Sequence, residues 1–449
     1  LSSVAVESAA KRQEWWQRPI VAACVSVALI AIPALLGIIK AARVKLDESQ
    51  TDAGMMILRI DDYFHFWSAG KAMLEGGDIY SERHGQNYIY PPMFAWLFQP
   101  LATLDQRPGV YIWIVIDAAI LFAGVLLFAH ELVKRLRDKV DWSVIWTAAA
   151  FGLLMLVDKV MAQFKLQQTD GVMLLAMGLA LRWMDSRPLL AGVVLGVAGN
   201  VKYLSLIALP WFVVRRRWKA AAGTVVGFVA CLIIPALTRG WDRNLADLKV
   251  AFAGLVEAFG VNVEHLPRAT SHPITWERSV SITSTMFRAA EALSLGNLIA
   301  LAATGLFALA CVAIVWAAYR KHRIPFLNLP AQAHGLIALE WVGLLIASLT
   351  FGPQTTARHM IQLIPLFMLA WIVYPIVKPI WRRLFIVGCI LLTLVMVLPP
   401  GGKQYQELLT TWRAIGVVSW VTLALFFTLF LTTLPLVSAR NTLHKDLSA

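Results

Sequence analysis

Apolar runs of membrane-crossing length recur along the whole chain: Ile20 to Ile39, Tyr111 to Ala129, Leu298 to Ala318 and Ile415 to Leu436. As helices, such runs cross roughly 30 Å of hydrocarbon, because a helix rises about 1.5 Å per residue. No water answers the backbone N–H and C=O groups inside a bilayer, so only helices and closed barrels cross it. Uninterrupted apolar runs select helices. Composition agrees: of 449 residues 59% are hydrophobic and 15% charged, and mean hydropathy is +0.66, too apolar for a surface that water must wet. The expected fold is an all-α polytopic membrane protein.

The net charge of +13 comes from short basic clusters lying between the apolar runs, which is where charge orients a membrane protein. No nucleic-acid partner is expected. The clusters are Lys11, Arg12 and Arg18; Lys134, Arg135, Arg137 and Lys139; Arg182 and Arg187; Arg215, Arg216, Arg217 and Lys219; Arg320, Lys321 and Arg323; Lys378, Arg382 and Arg383; and Arg440 with Lys445. Placing all of them on the cytoplasmic side requires an even number of crossings between neighbours, about twelve spans in all, with both termini inside. Leu189 to Val214 must then divide near Gly199-Asn200-Val201-Lys202 into two short helices, a break tolerated where it lines a protein cavity. The first span is long and contains Pro33, so it is read as retained rather than as a cleaved signal. Cys24, Cys231, Cys311 and Cys389 fall inside spans without ligand spacing and read as small apolar fillers.

The chain is read as a single transmembrane domain over residues 1–449, with two long external loops, 43–108 and 239–294. In the second, Leu245, Leu248, Phe252, Leu255 and Phe259 have helical spacing. In the first, Tyr63, Phe66, Trp67 and Met73 share one face of a helix that Gly76-Gly77 ends. A second short helix follows Pro91-Pro92, with Met93, Phe94, Trp96, Leu97 and Phe98 making it apolar nearly all round. Asp61 and Asp62 stand at the start of the first of these helices. Two adjacent carboxylates just outside a bilayer point to chemistry on a lipid-borne substrate; the plainer reading of Asp62 is a helix cap.

The run Asp61-Asp62-Tyr63, Phe66, Ala69-Gly70, Gly76-Gly77, Tyr80, Tyr90-Pro91-Pro92 and Pro100-Leu101 resembles the first external loop of glycosyltransferase family 87, membrane enzymes of the GT-C type. That family includes mycobacterial polyprenyl-phosphomannose-dependent mannosyltransferases and an arabinofuranosyltransferase. The resemblance implies a GT-C fold and an all-helical enzyme that takes a sugar from a polyprenyl-phosphate carrier. The family acid falls on Asp62, with Asp61 as its acidic neighbour. A Gly-Gln-x-Asn pattern falls on Gln167-Gln168-Thr169-Asp170, keeping the glutamine as Gln168 and giving it Asp170 as partner. The family lysine falls on Lys202. A Ser-Pro-x-Ser-Trp-x-His-His element falls on Gly352-Pro353-Gln354-Thr355-Thr356-Ala357-Arg358-His359, with arginine in place of the first histidine. Tyr90, Gln168 and Asp170 are expected to touch substrate.

Chemistry independent of the family supports these roles. Transfer from a phosphate-linked sugar needs a base for the incoming hydroxyl and positive charge for the departing phosphate. Asp62 is the expected base. Asp61 is expected to orient it, to hydrogen-bond the sugar, or to act on it through like-charge repulsion. Lys202, Arg358 and His359 are the expected phosphate ligands, arginine being best suited because its planar fork holds two oxygens. Each has an ordinary alternative: Lys202 snorkelling to the interface, His359 as a satisfied structural residue. Asp117 inside a span is read as a structural hydrogen-bonding group, and Asp158-Lys159 as neutralising each other or facing water. Trp15, Trp16, Trp113 and Trp412 are read as interfacial anchors. Asp61 and Asp62 are also chemically suited to a divalent cation, but the three cations favour a site with no cofactor and no metal. His265 and His272 lack a ligand set for zinc.

The expected function is therefore transfer of one sugar, mannose before arabinofuranose, from a polyprenyl-phosphate donor to a lipid-linked glycan acceptor. Transfer would proceed by single displacement with inversion, on the extracytoplasmic side of a bacterial cytoplasmic membrane, with membrane lipids as further partners. The alternative from another class is a lipid or sugar transporter or flippase, because broken helices also suit alternating access. The long first loop with its acidic pair favours the enzyme.

Overall fold

The computed structural model describes residues 19–44, 51–52, 55–56, 61–81, 88–137, 139–261, 263, 266–269, 272–327, 333–396 and 403–446. Lys11, Arg12, Trp15, Trp16, Arg18 and His265 lie outside them.

Helix α1 (Pro19–Arg43) is followed by a two-residue antiparallel ribbon, β1 (Thr51–Asp52) with β2 (Met55–Met56). Two short helices, α2 (Asp61–Leu74) and α3 (Pro92–Ala102), precede the long α4 (Gln106–Leu136). Next, α5 (Trp142–Met155) and α6 (Val157–Lys165) meet at a bend of 71°. Then come α7 (Asp170–Trp183), α8 (Pro188–Gly199), a 3-10 turn (Tyr203–Ile207) running into α9 (Ala208–Val214), and α10 (Trp218–Ile233). A second group of short helices comprises α11 (Ala236–Arg239), α12 (Trp241–Ala258) and α13 (Ile282–Ala292). The remainder is α14 (Asn297–Lys321), α15 (His334–Phe351), a 3-10 turn (Ala357–Leu363) leading into α16 (Ile364–Val373), α17 (Pro379–Met396), α18 (Lys403–Ala414) and α19 (Val417–Asp446).

Eight described helical stretches are long and apolar enough to cross a membrane, or nine with the bent pair. The count of about twelve read from the basic clusters also includes three shorter legs: α7, α8 and the leg from Tyr203 to Val214. Helix α14 shows what the surrounding medium must be. Only 6% of its apolar window is buried, and Leu298, Leu306 and Leu309 are largely exposed, a disposition stable against hydrocarbon and not against water.

Local chemistry explains the parts that position the site. In α2 the face made by Tyr63, Phe66, Trp67, Gly70 and Met73 is buried, and Gly76 takes φ 69° just after the last turn, a left-handed stop suited to glycine. Pro92 opens α3 at a position where its missing N–H costs nothing, and Phe94 and Phe98 pack edge-on against Phe66 or Tyr63. The stretch from Pro188 to Val214 breaks where expected. Lys202 lies between the two legs, and the Ser205 hydroxyl ties them by donating to the Leu195 and Lys202 carbonyls at 3.1 and 3.2 Å. α8 lies almost backbone to backbone on α10. A Cβ on Gly192, Gly196, Gly223 or Gly227 would overlap a main-chain atom of the other helix.

Helix α12 forms where the apolar spacing predicts, with its small and polar face inward. Asn244, Asp247, Ala251, Gly254 and Ala258 are buried, while Leu245, Phe252 and Phe259 are exposed. Small side chains allow close packing inward and large apolar ones are left for lipid, as for a helix lying in a membrane interface.

At one end of the bundle the basic clusters meet. Arg135 and Arg217 both bond Asp185, at 3.3 and 2.8 Å, and Arg215 is buried on Glu340 with Trp211 and Tyr319 on the same carboxylate. Asp170 and the Lys202 turn lie at the opposite ends of the helices that lead to Asp185 and Arg215, with Asp62 bonded to Gln168 beside them. Within the bundle, Asp117 accepts two hydrogen bonds at 3.0 Å from the Gln163 amide, the structural role expected of it. Lys159 is buried and bonds Asp158 at 2.5 Å and the Met396 carbonyl at 2.8 Å.

Candidate active site

Asp61 and Asp62 begin α2 side by side yet point to different partners. Asp61 takes φ 39°, a left-handed conformation that aspartate tolerates better than most residues. Its Oδ2 accepts from the Lys40 ammonium at 2.5 Å, and Lys40 also donates to the Lys165 carbonyl at 2.8 Å. Asp62 turns the other way. Its Oδ2 accepts from the Gln168 amide and lies 3.6 Å from Arg358 Nη1. The Asp62 carboxylate is therefore committed to the groups around it and not to a helix cap alone.

Gln168 and Asp170 are delivered by the turn between α6 and α7. Gln167 takes φ 50° there, and its amide donates to the Phe164 and Lys165 carbonyls at 3.0 and 3.1 Å. Left-handed backbone at a non-glycine residue costs on the order of 1–3 kcal/mol and persists only where its surroundings over-determine it. Here two such residues, Asp61 and Gln167, each sit immediately before a site residue. Asp170 is fully buried: Oδ1 accepts from Gln362 at 3.1 Å and lies 3.5 Å from Lys202, while Oδ2 is buried with no protein partner.

Lys202 and His359 approach to 3.2 Å. The backbone N–H of Thr356 donates to His359 Nδ1 at 3.2 Å, so in the neutral ring the proton resides on Nε2. That leaves two donors, ammonium and Nε2–H, side by side. An acceptor bridging both, an anion above all, offsets the repulsion of such a pair. The turn that carries Arg358 and His359 is held from below. Thr283 donates to the Phe351 carbonyl at 2.8 Å, Ser284 to the Pro353 carbonyl at 2.7 Å, and Val280 N–H to the Thr355 carbonyl at 2.7 Å.

Lys202, His359, Tyr90, Gln354 and the Asn200 turn line a cavity of about 160 Å³, closed on its far side by Ala251, Gly254, Leu255 and Ala258 of α12. One wall is polar and the other apolar. Desolvation pushes the Tyr90 hydroxyl pKa up, against the lowering pull of Lys202, so Tyr90 faces the cavity as a neutral donor. Lys202 is tied to Asp170 and this cavity rather than reaching for the interface, and His359 both caps its own turn and faces the site. All eight residues singled out in the sequence thus fall in one neighbourhood. Lys40 and Gln362, not singled out, belong there too. Lys40 had a signal: it closes the first span at the end opposite the basic clusters, against the charge rule used to orient the chain. His272 stacks on Trp276, ring centroids 3.7 Å apart, at the rim. Among the described residues no group of three or more His, Cys, Asp and Glu side chains converges as a metal site requires.

The geometry defines a helical membrane protein in which Lys202 and His359 line a cavity beside the bundle's end and Asp62 pairs with Gln168 and Arg358 next to it, a layout suited to binding an anionic group. A family model described as glycosyltransferase family 87 matches residues 88–339, more than half of the chain, and the chain belongs to that family. The matched region includes Tyr90, Gln168, Asp170 and Lys202; Asp61, Asp62, Arg358 and His359 flank it. The chain is 26% identical over 230 residues to a polyprenol-phosphate-mannose-dependent alpha-(1-2)-phosphatidylinositol pentamannoside mannosyltransferase of Mycobacterium tuberculosis, covering 48% of this chain and 49% of that one. It is likewise 26% identical over 184 residues to the protein of the same description from Mycolicibacterium smegmatis, covering 39% and 43%. The chain spans about half the length of the curated relatives it matches.

Proposed function

We propose that this chain is an inverting glycosyltransferase that moves a mannosyl unit from a polyprenyl-phosphate carrier to a hydroxyl of a lipid-linked glycan. The observation that carries the reading is Asp62 set against Gln168 and Arg358, beside the adjacent donors Lys202 and His359. Asp62 takes the proton of the acceptor hydroxyl as its oxygen attacks the anomeric carbon. The bond from that carbon to the phosphate oxygen breaks on the opposite face, and polyprenyl phosphate leaves with both bonding electrons. Arg358, Lys202 and the His359 Nε2–H meet the charge that develops on it, so the step needs no metal. Asp170 Oδ2 and the Tyr90 hydroxyl are left to hold sugar hydroxyls or ordered water. The relatives' descriptions, which specify polyprenol-phosphate-mannose as donor and a phosphatidylinositol-linked glycan as acceptor, support mannose and an acceptor of that kind.

The gathering of the basic clusters at the end opposite the site supports an extracytoplasmic active site in a bacterial cytoplasmic membrane. The test is a donor panel. Purified protein is incubated with a phosphatidylinositol-linked mannoside and polyprenyl-phosphate carriers of mannose, arabinofuranose and glucose. Transfer of mannose with inverted anomeric configuration is expected; retention, or transfer from none of the three, overturns the reading.

A further inference from the structure

The Lys40 ammonium joins the two pieces of chain that bring Asp62 and Gln168 together. One bond goes to Asp61 Oδ2, the residue before Asp62; the other goes to the Lys165 carbonyl, three residues before Gln168. That carbonyl also accepts from Gln167, so both of its lone pairs are used. The two pieces share a peculiarity: Asp61 and Gln167, each directly preceding a site residue, are both held in left-handed backbone. The first helix is built to reach them. Gly37, one turn before Lys40, lies so close to α6 that a Cβ there would stand 2.7 Å from the Phe164 carbonyl oxygen.

We infer that Lys40 is a positioning residue of the transfer reaction, acting through Asp61 to hold the Asp62 carboxylate against Gln168 and Arg358. The inference rests on the reading of Asp62 as the base. It divides the acidic pair: the charge of Asp61 is answered by Lys40, which leaves Asp62 as the carboxylate that faces Arg358 and the incoming hydroxyl. Lys40 touches no reacting atom. Its loss lets the start of α2 relax out of the left-handed turn, and the base then spends less time aligned, a defect in turnover rather than in donor capture.

The test joins kinetics to a distance measurement on the full chain in detergent or nanodiscs. With polyprenyl-phosphomannose as donor, Lys40→Ala should lower kcat by about tenfold or more while KM for the donor moves by less than about twofold. Lys40→Arg, which keeps charge and donors, should recover most of the loss. Because Lys40 works through Asp61, Lys40→Ala in an Asp61→Asn background should cost little beyond Asp61→Asn alone. Nitroxides at Leu74→Cys and Lys165→Cys, with the native cysteines replaced by alanine, report the geometry without substrate. Their distance distribution should broaden in Lys40→Ala, stay narrow in Lys40→Arg, and stay narrow in Asp62→Asn. Parent-rate transfer by Lys40→Ala, losses that multiply in the double variant, or an unchanged distribution in Lys40→Ala each overturn the inference. Should the parent transfer no mannose, the functional reading falls by itself, and the distance distribution alone decides for or against Lys40 as the link between the two segments.

Discussion

Arg358 Nη1 stands 3.6 Å from Asp62 Oδ2, so the cation nearest the expected base is also the one best shaped for a phosphate. The pairing keeps the carboxylate aimed while the site waits for donor, and it places the guanidinium where departing charge will appear. Arg358→Lys keeps the charge but loses the two-point fork; Arg358→Ala loses both. Transfer should fall in that order, with the alanine variant down on the order of a hundredfold to a thousandfold, as for loss of one donor to a developing anion. Initial rates with folded protein verified by gel filtration decide it, and three equal rates would remove Arg358 from the site.

Lys202 and Asp170 allow stability and chemistry to be separated. Asp170 is fully buried, and Lys202 is the cation beside it at 3.5 Å. Lys202→Met strands that carboxylate, which typically costs about 3–5 kcal/mol when one partner of a buried pair is removed. Adding Asp170→Asn removes the stranded charge, so thermal stability should return toward the parent while transfer stays lost. Recovery of transfer in the double variant would mean that Lys202 serves only to neutralise Asp170.

The helix pair that carries the Lys202 turn depends on glycine. Gly196→Leu forces side-chain volume into the contact of α8 with α10, where overpacking typically costs about 1–3 kcal/mol and backbone contact this close leaves little room to yield. Gly305 on α14 has open space around its would-be Cβ, so Gly305→Leu should leave the melting temperature unchanged. Fluorescence-detected thermal unfolding of the two variants should differ clearly; equal melting points would contradict the packing.

The side on which the site lies is tested by labelling intact cells with a membrane-impermeant maleimide. Ser186→Cys lies in the basic end beside Asp185 and should react only after the membrane is opened, whereas Leu74→Cys, exposed at the end of α2, should react from outside. The reverse pattern would put the site on the cytoplasmic side.

What the sequence made legible was local. Tyr63, Phe66, Trp67 and Met73 announce their helix because 3.6-residue spacing is written over about three turns, and Gly76 announces its end. The break near Asn200 to Lys202 was legible because one uninterrupted helix would put the cluster from Arg215 on the wrong side. The residues singled out lie near one another in the fold; all but Tyr90 carry a charge, an imidazole or an amide in polar sequence beside apolar runs. Illegible were pairings across long separations: Lys40 with Asp61, Gln362 with Asp170, and Glu340 with Arg215. No periodicity encodes which cation meets which carboxylate. The 71° bend at Leu156 also escaped, as α5 and α6 read as continuous helix until packing decides otherwise. For α12 the spacing gave the helix but not its facing, because in a bilayer the large apolar side chains need not point inward.

The mechanism rests most directly on Asp62. Asp62→Asn preserves volume and one acceptor oxygen, so the contact with Gln168 and the start of α2 survive, while the group that removes a proton is gone. Loss of a general base typically lowers rate about a hundredfold to ten-thousandfold, so sugar transfer should nearly vanish while donor binding, carried by Lys202, Arg358 and His359, persists. Asp61→Asn should behave differently. It weakens the Lys40 contact without touching the reacting hydroxyl, so its loss should be smaller and should appear in kcat with donor KM little changed. Single-turnover rates alongside equilibrium donor binding separate the two variants. Near-parent transfer by Asp62→Asn would reduce Asp62 to a structural acceptor for Gln168, and the base would then be sought first at Asp61 and next at Asp170, whose buried Oδ2 is left without a protein partner.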